Sequence, residues 1–275
     1  MTARHARDSL QRAARTDRAN NERVLPRIAA TAYLTPLREG GSLPGLMEAD
    51  DDGTYVVKFT GAGQGPKALV AEIVVGELAR RLDILVPELA LIELDAEIGL
   101  REPDQEVQAL LSASPGLNLA IDFLPGSVGY DRSFELMSED AARIVWLDAF
   151  VANVDRSARN TNLLIWHRNL YAIDHGACLR FHHAWGSPDA FAASAYNYGD
   201  HVLAGVGRPR RVHDQLAPLV TTDLLTSVVD LVPDRWLRPD PTRPDPNAPA
   251  DPAAARTAYV DYLLARLSAA DRWLR

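Results

Sequence analysis

The stretch Asn153-Val154-Asp155-Arg156-Ser157-Ala158-Arg159-Asn160-Thr161-Asn162, followed by Leu163–Trp166, His167-Arg168-Asn169, Leu170–Ile173 and Asp174-His175-Gly176, decides the fold. Leu163–Trp166 and Leu170–Ile173 are short apolar runs rich in strand formers, and the polar triplet between them reads as a tight turn. The two runs are therefore expected to pair as a β-hairpin centred near Arg168. Antiparallel pairing would then bring Asp174 opposite the neighbourhood of Asn162, with Asp155 on the loop leading into the same end. Two carboxylates and amides on one oxygen-rich edge suit Mg²⁺, which takes one or two protein carboxylates beside substrate phosphates.

The spacing adds to this. An Asp followed five residues later by an Asn, then a hairpin, then Asp-x-Gly, is the layout of a protein-kinase catalytic loop and metal-binding loop. Taken singly, Asn-x-Asp-Arg and Asp-x-Gly are ordinary turn chemistry. In order and joined by a hairpin they carry more weight. At these residues the sequence resembles the HipA-like kinases, whose catalytic loop reads Asn-x-Asp-Arg-x-x-x-Asn, matched by Asn153, Asp155, Arg156 and Asn160. The resemblance implies that Asp155 orients the attacking hydroxyl and accepts its proton, and that Asn160 and Asp174 are Mg²⁺ ligands. It departs from the family at Ser157, often His there, and in reading Asp-His-Gly in the metal loop.

Upstream, Ala29–Leu34, Leu46–Ala49 and Thr54–Thr60 read as strands, with Gly40-Gly41-Ser42 in the turn between the first two. Glycines there would let backbone N–H groups approach phosphate oxygens, as a lid over a nucleotide triphosphate requires. Lys58 lies inside an apolar strand and must find a counter-charge or reach solvent. As a clamp on the α- and β-phosphates it would need a carboxylate from the helix expected over Leu69–Leu82. Glu72 and Glu77 both sit on that helix, and the resemblance favours Glu72. The second glycine-rich run, Gly61–Pro66, lacks the Gly-Lys-Ser/Thr of a P-loop.

Leu89–Leu94, Val107–Leu111 and Leu117–Phe123 are expected to complete a small antiparallel sheet. Asp122-Phe123-Leu124, before Pro125-Gly126, would form a hinge where an adenine edge meets backbone groups. Beyond it the pattern turns helical: Ala141–Ala152, Val212–Leu219, Thr222–Leu231 and Tyr259–Leu274 have apolar residues at helical spacing. The proline-rich run 238–252 reads as extended or disordered. His182-His183 fits no zinc motif and reads as packing.

The expected architecture is thus α+β, a two-lobed protein-kinase-like fold. Residues 1–28 would be an N-terminal extension, 29–124 a small antiparallel-sheet lobe with one main helix, and 125–275 a mostly helical lobe carrying both loops. Residues 12–23 could be a polar helix or a basic arm. Across 275 residues the net charge of −8 argues against binding nucleic acid or an anionic membrane, and Cys178, alone, permits no internal disulfide. No secretory or membrane-spanning segment is expected, and the natural setting is cytoplasmic.

The resemblance implies an ATP- and Mg²⁺-dependent phosphotransferase acting on a hydroxyl, of a protein Ser or Thr or of the chain itself at Ser42. The acceptor stays unidentified: a small-molecule kinase on the antibiotic- or choline-kinase plan shares the Asp and Asn spacing. A pseudokinase acting as an interaction module is the non-enzymatic alternative, against which the complete set Lys58, Asp155, Asn160 and Asp174 speaks.

Overall fold

The computed structural model describes residues 24–38 and 43–274. Strands β1 (Arg27–Pro36), β2 (Gly45–Ala49) and β3 (Thr54–Lys58) precede helix α1 (Pro66–Arg81). Strand β4 (Leu89–Leu94), helix α2 (Gln105–Ser112) and strand β5 (Gly116–Asp122) follow. A second sheet is made by β6 (Val128–Gly129), β7 (Leu163–Trp166) and β8 (Asn169–Ala172), with helix α3 (Ser138–Phe150) between its first two strands. The remainder is helical: α4 (Pro188–Ala193), α5 (Arg210–Leu216), α6 (Thr222–Val229), α7 (Asp234–Leu237), α8 (Pro252–Ser268) and α9 (Ala270–Trp273).

The antiparallel sheet expected from the sequence is instead a closed barrel in the order β1-β2-β3-β5-β4. Closure comes from β1, which pairs antiparallel with β2 at one end and parallel with β4 at the other, Ile28 opposite Ile92. Ten residues long and with two register shifts against β2, β1 bends enough to serve both neighbours. Alternation along β4 explains the two packed faces: Ala90, Ile92 and Leu94 point into the barrel with Met47, Val57 and Phe59. Leu89 and Leu91 point outward into the main core with α1.

Val107–Leu111, expected as a strand, lies in α2. Asp104 caps that helix by accepting from the N–H groups of Glu106 and Val107, and Val107 and Leu111, four apart, are its buried residues. A five-residue apolar window is consistent with strand or helix; the cap and the spacing of four decide it.

Helix α1 is buried at every position from Leu69 to Ala79. A helix buried all round belongs in the middle of a molecule, and α1 packs with the outer barrel face on one side and with the core of α3, α6 and α7 on the other. Trp146, Phe150 and Trp273 stack to fix α3 against the C-terminal end of the chain. The run 238–252, expected to be extended or disordered, is folded as turns. Asp245 accepts the Trp185 N–H at 2.8 Å, and Asp251 caps α8. Among the described residues no helix is long and apolar enough to cross a membrane.

Candidate active site

The hairpin β7–β8 turns at His167 and Arg168, both left-handed (φ 48 and 66), which matches the twist of paired strands. Leu163 pairs with Ala172, so the next residues out, Asn162 and Ile173, meet through an Ile173 N–H to Asn162 carbonyl bond of 3.0 Å. Asn162 and Asp174 both leave the ribbon with positive φ (47 and 55), a conformation that Asn and Asp tolerate better than most residues. The expected juxtaposition of Asp174 with the Asn160/Asn162 loop is therefore present.

Lys58, last in β3, is buried and donates from Nζ to Glu72 Oε1 at 2.5 Å and to Asp174 Oδ1 at 2.7 Å. Burial opposes its charge, but Glu72 and then Asp174 outweigh it, so its pKa lies above the ordinary lysine value. Glu72, fully enclosed, is raised by burial, with the lysine pulling the other way. Asp174 keeps 36% of its side chain exposed to the cavity. Burial raises its pKa, but Lys58 outweighs burial and holds it below the ordinary carboxylate value. Of the two candidate glutamates the structure chooses Glu72; Glu77 pairs with Arg80 at 3.3 Å. Gly176 permits this approach of loop to helix, since a Cβ there would lie 3.3 Å from Glu72 Oε1.

Asp155 is fixed by two amides: its Oδ2 accepts from Asn160 Nδ2 at 2.9 Å and Asn162 Nδ2 at 3.2 Å. Its own N–H bonds to Asn153 Oδ1 at 3.0 Å. Lys58, Asp155, Asn160, Asp174 and Gly176 line one cavity of about 390 Å³, within the range of small-ligand sites.

Of the other expected residues, Gly40, Gly41 and Ser42 lie outside the described residues. Asp122 ends β5, Phe123 and Leu124 follow it, and none of the three lines this cavity. The N–H groups of Asp122 and Phe123 are engaged by the carbonyls of Glu88 (2.8 Å) and Thr54 (3.1 Å). Instead Ala62, Gln64 and Gly65, from the second glycine-rich run, contribute a wall. Sequence reasoning gave that run no role.

Beneath the loop lies a buried network that the spacing did not announce. Asp148, on α3, accepts from Arg156 Nε (2.6 Å), Asn153 Nδ2 (2.8 Å) and His201 Nε2 (2.9 Å). Its carboxyl is enclosed, which raises its pKa, but Arg156 and then His201 hold it well below the ordinary range. The His201 tautomer follows from the network: Nδ1 accepts the Leu203 N–H at 3.0 Å, so Nε2 carries the proton donated to Asp148. The Arg156 guanidinium also donates to the carbonyls of Asn162 and Ile173. One arginine thus ties the Asp155 loop to the residue before Asp174. An Asp in the buried face of a helix was the available signal for Asp148; His201, forty-five residues beyond Arg156, offered none.

For a divalent metal the donors fit. Asn160 donates its amide N–H to Asp155 and Asp174 Oδ1 accepts from Lys58, so neither bond uses Asn160 Oδ1 or Asp174 Oδ2, and both residues line the cavity. Among the described residues no group of three or more His, Cys, Asp or Glu could hold a metal. Two oxygen donors beside phosphates suffice for Mg²⁺.

No curated protein matches this sequence. Among solved structures, the Helicobacter pylori proinflammatory kinase CtkA is 12% identical, with 90% of this chain and 95% of that one covered and a TM-score of 0.49. The Golgi casein kinase is 13% identical (94% and 77% covered, TM-score 0.42), and its Mn/ADP-bound form is 13% identical (93% and 76%, TM-score 0.42). The sequence model of the HipA-like kinase family matches residues 32–273, from β1 to the last helix and through every residue of the cavity just described. The chain belongs to the HipA-like kinase family and is a kinase.

Proposed function

We propose that the chain transfers the γ-phosphoryl group of ATP to an alcohol, a Ser or Thr hydroxyl of a protein, with Mg²⁺ as cofactor. The observation that carries this reading is the Lys58 ammonium held between Glu72 and Asp174 on a cavity that also exposes Asp155. Two lobes would divide near Leu124, with residues 29–124 holding the nucleotide phosphates, 125–275 supplying the two loops, and 1–28 as an extension. Gly40, Gly41 and Ser42 would cover the phosphates. Ser42 is the candidate for self-phosphorylation, and along Asp122-Phe123-Leu124 an adenine would have to use backbone groups other than the two N–H groups that Glu88 and Thr54 already engage. The single cysteine, Cys178, free and buried, supports a reducing, cytoplasmic setting.

Each side chain has a stated task. Lys58 holds the α- and β-phosphate oxygens, kept in place and charged by Glu72. Asn160 and Asp174 would hold Mg²⁺, which neutralises charge on the phosphates when bound. Asn160 and Asn162 occupy Asp155 Oδ2, leaving Oδ1 to accept the proton of the acceptor hydroxyl. The acceptor oxygen bonds to the γ-phosphorus, the bond to the β-bridging oxygen breaks, ADP leaves, and the proton resides on Asp155. Because positioning and charge stabilisation dominate such chemistry, Asp155→Ala should lower phosphate transfer by about 10²–10³-fold. Labelled-phosphate transfer into a lysate and into the chain itself, wild type against Asp155→Ala and Lys58→Met, is the test. Equal transfer by all three proteins would refute the assignment.

A further inference from the structure

A second and larger cavity, about 580 Å³, lies on the far side of the Asp155 loop. Val154, 60% exposed, lines both cavities, so a single turn of chain separates them. A group reaching Asp155 from outside can pass over Val154 with its neighbours still in the larger space.

The floor of this space is aromatic. Phe181 stacks on Tyr262 with ring centroids 4.2 Å apart and meets Phe191 edge-on at 4.8 Å; Tyr196 adds a further ring to the wall. Its charge is lopsided. Arg180 stands exposed at the rim and pairs with no carboxylate among the described residues. Arg266 is buried behind the wall, donating to the carbonyls of Phe191 and Ser194 and to those of Ala149 and Phe150, with its guanidinium 4.9 Å over the Phe191 ring. No carboxylate is among its partners. Burial pulls its pKa down to about 10, so it remains a cation at neutral pH. The one carboxylate on the lining, Asp200, already accepts from Asn197 at 2.6 Å.

We propose that this cavity docks the phosphate acceptor, and that the acceptor is a polypeptide with a large apolar side chain near its hydroxyl and a carboxylate that meets Arg180. The inference rests on the phosphotransfer reading above. Three guanidinium groups around an aromatic floor, Arg180 exposed, Arg156 on the lining and paired with Asp148, and Arg266 behind the wall, repel polycations and quaternary amines, which require a negative or neutral cage. They suit an apolar anchor with an acidic neighbour, and because both cavities share Val154 the anchor is expected a few extended residues, at about 3.3 Å each, from the hydroxyl.

The experiment is a position-scanned Ser/Thr peptide library phosphorylated by the full chain with Mg²⁺ and ATP, repeated with Gly186→Phe and Arg180→Glu. Gly186 lines the cavity, and a Cβ there meets nothing within 4 Å, so phenylalanine can enter the space without strain. Wild type should select a large apolar residue within three positions and Asp or Glu beside it. Gly186→Phe should raise the KM for the selected peptide about tenfold, with the KM for ATP moving less than about twofold. Arg180→Glu should turn the acidic preference basic. Selection with no positional preference, a preference that survives both variants, or transfer to small hydroxyl compounds alone would overturn the docking proposal and leave the phosphotransfer reading standing. Absence of any ATP hydrolysis or ATP-dependent thermal stabilisation in wild type would instead overturn both.

Discussion

At Asp174 charge and backbone can be separated experimentally. The residue carries φ 55, a left-handed conformation that asparagine occupies readily and that costs alanine roughly 1–2 kcal/mol. Asp174→Asn should therefore keep the thermal midpoint close to wild type while lowering phosphate transfer by about 10²-fold, because the amide neither attracts Lys58 nor binds a cation as a carboxylate does. Asp174→Ala should lose activity equally and melt at a lower temperature. Identical midpoints for the two variants, in a differential scanning measurement, would sink the backbone argument. At this scale the sequence is informative where spacing is rigid: Asp155, Asn160 and Asp174 stand on one loop and one hairpin, so a short count fixes their neighbourhood. Glu72 against Glu77 is different. Five residues along a helix turn a side chain to another face, and which face meets Lys58 depends on how α1 lies over the barrel, a long-range fact. His201 was illegible for the same reason.

Among the elements, the segment after α4 is what holds the Asp155 loop in place. His201 bridges to Ser157 in strand fashion, Val202 donates its N–H to the Arg156 carbonyl at 3.2 Å, and the His201 ring reaches Asp148 beneath the loop. Removing that ring frees one side of the carboxylate that orients Arg156, and through it the carbonyls of Asn162 and Ile173. Displacement of about 1 Å in such a site costs about 10²-fold in rate. His201→Ala should lower kcat by about 10- to 100-fold with the KM for ATP little changed, and His201→Gln, whose amide can still donate to Asp148, should recover part of it. A rise in the ATP KM with kcat intact would show that His201 serves binding instead. The hairpin was legible because its turn residues and apolar runs are local, whereas the barrel closure was not. Nothing in β1 announces that its first residues will pair in parallel with β4 some sixty positions away, and the α2 window was too short to separate a strand from a helix without its Asp104 cap.

The response of the whole molecule to acid follows from where its histidines lie. His175, the residue after Asp174, is buried; burial and then the Arg156 charge pull its pKa down to about 3. His182, also enclosed and bonded through Nδ1 to the Tyr259 hydroxyl at 2.8 Å, is lowered well below the ordinary value, chiefly by burial. In the unfolded chain both titrate near pH 6.5. Above that pH neither form binds the proton and the two histidines are neutral to stability. As pH falls below about 6.5 the unfolded chain takes up protons that the folded one refuses, so stability declines, by about 1.4 kcal/mol per pH unit for each histidine. For His175 the decline continues until its folded value near 3 is reached. Asp148 acts later: its carboxyl stays ionised in the folded chain below the ordinary carboxylate range, so its contribution is whole above about pH 4 and is lost only in stronger acid. Denaturant unfolding measured from pH 7.5 to 5 should therefore show stability falling with acid, above the range in which ordinary carboxylates protonate. His182→Leu, which strands the Tyr259 hydroxyl, should be less stable throughout yet show a shallower pH slope, by about one histidine's share. The slope is the quantity that decides, because the midpoint also carries the lost hydrogen bond. A flat profile between pH 7 and 5 in wild type would mean that both rings reach solvent and protonate while the chain is folded, against their burial beside Asp174 and under α8.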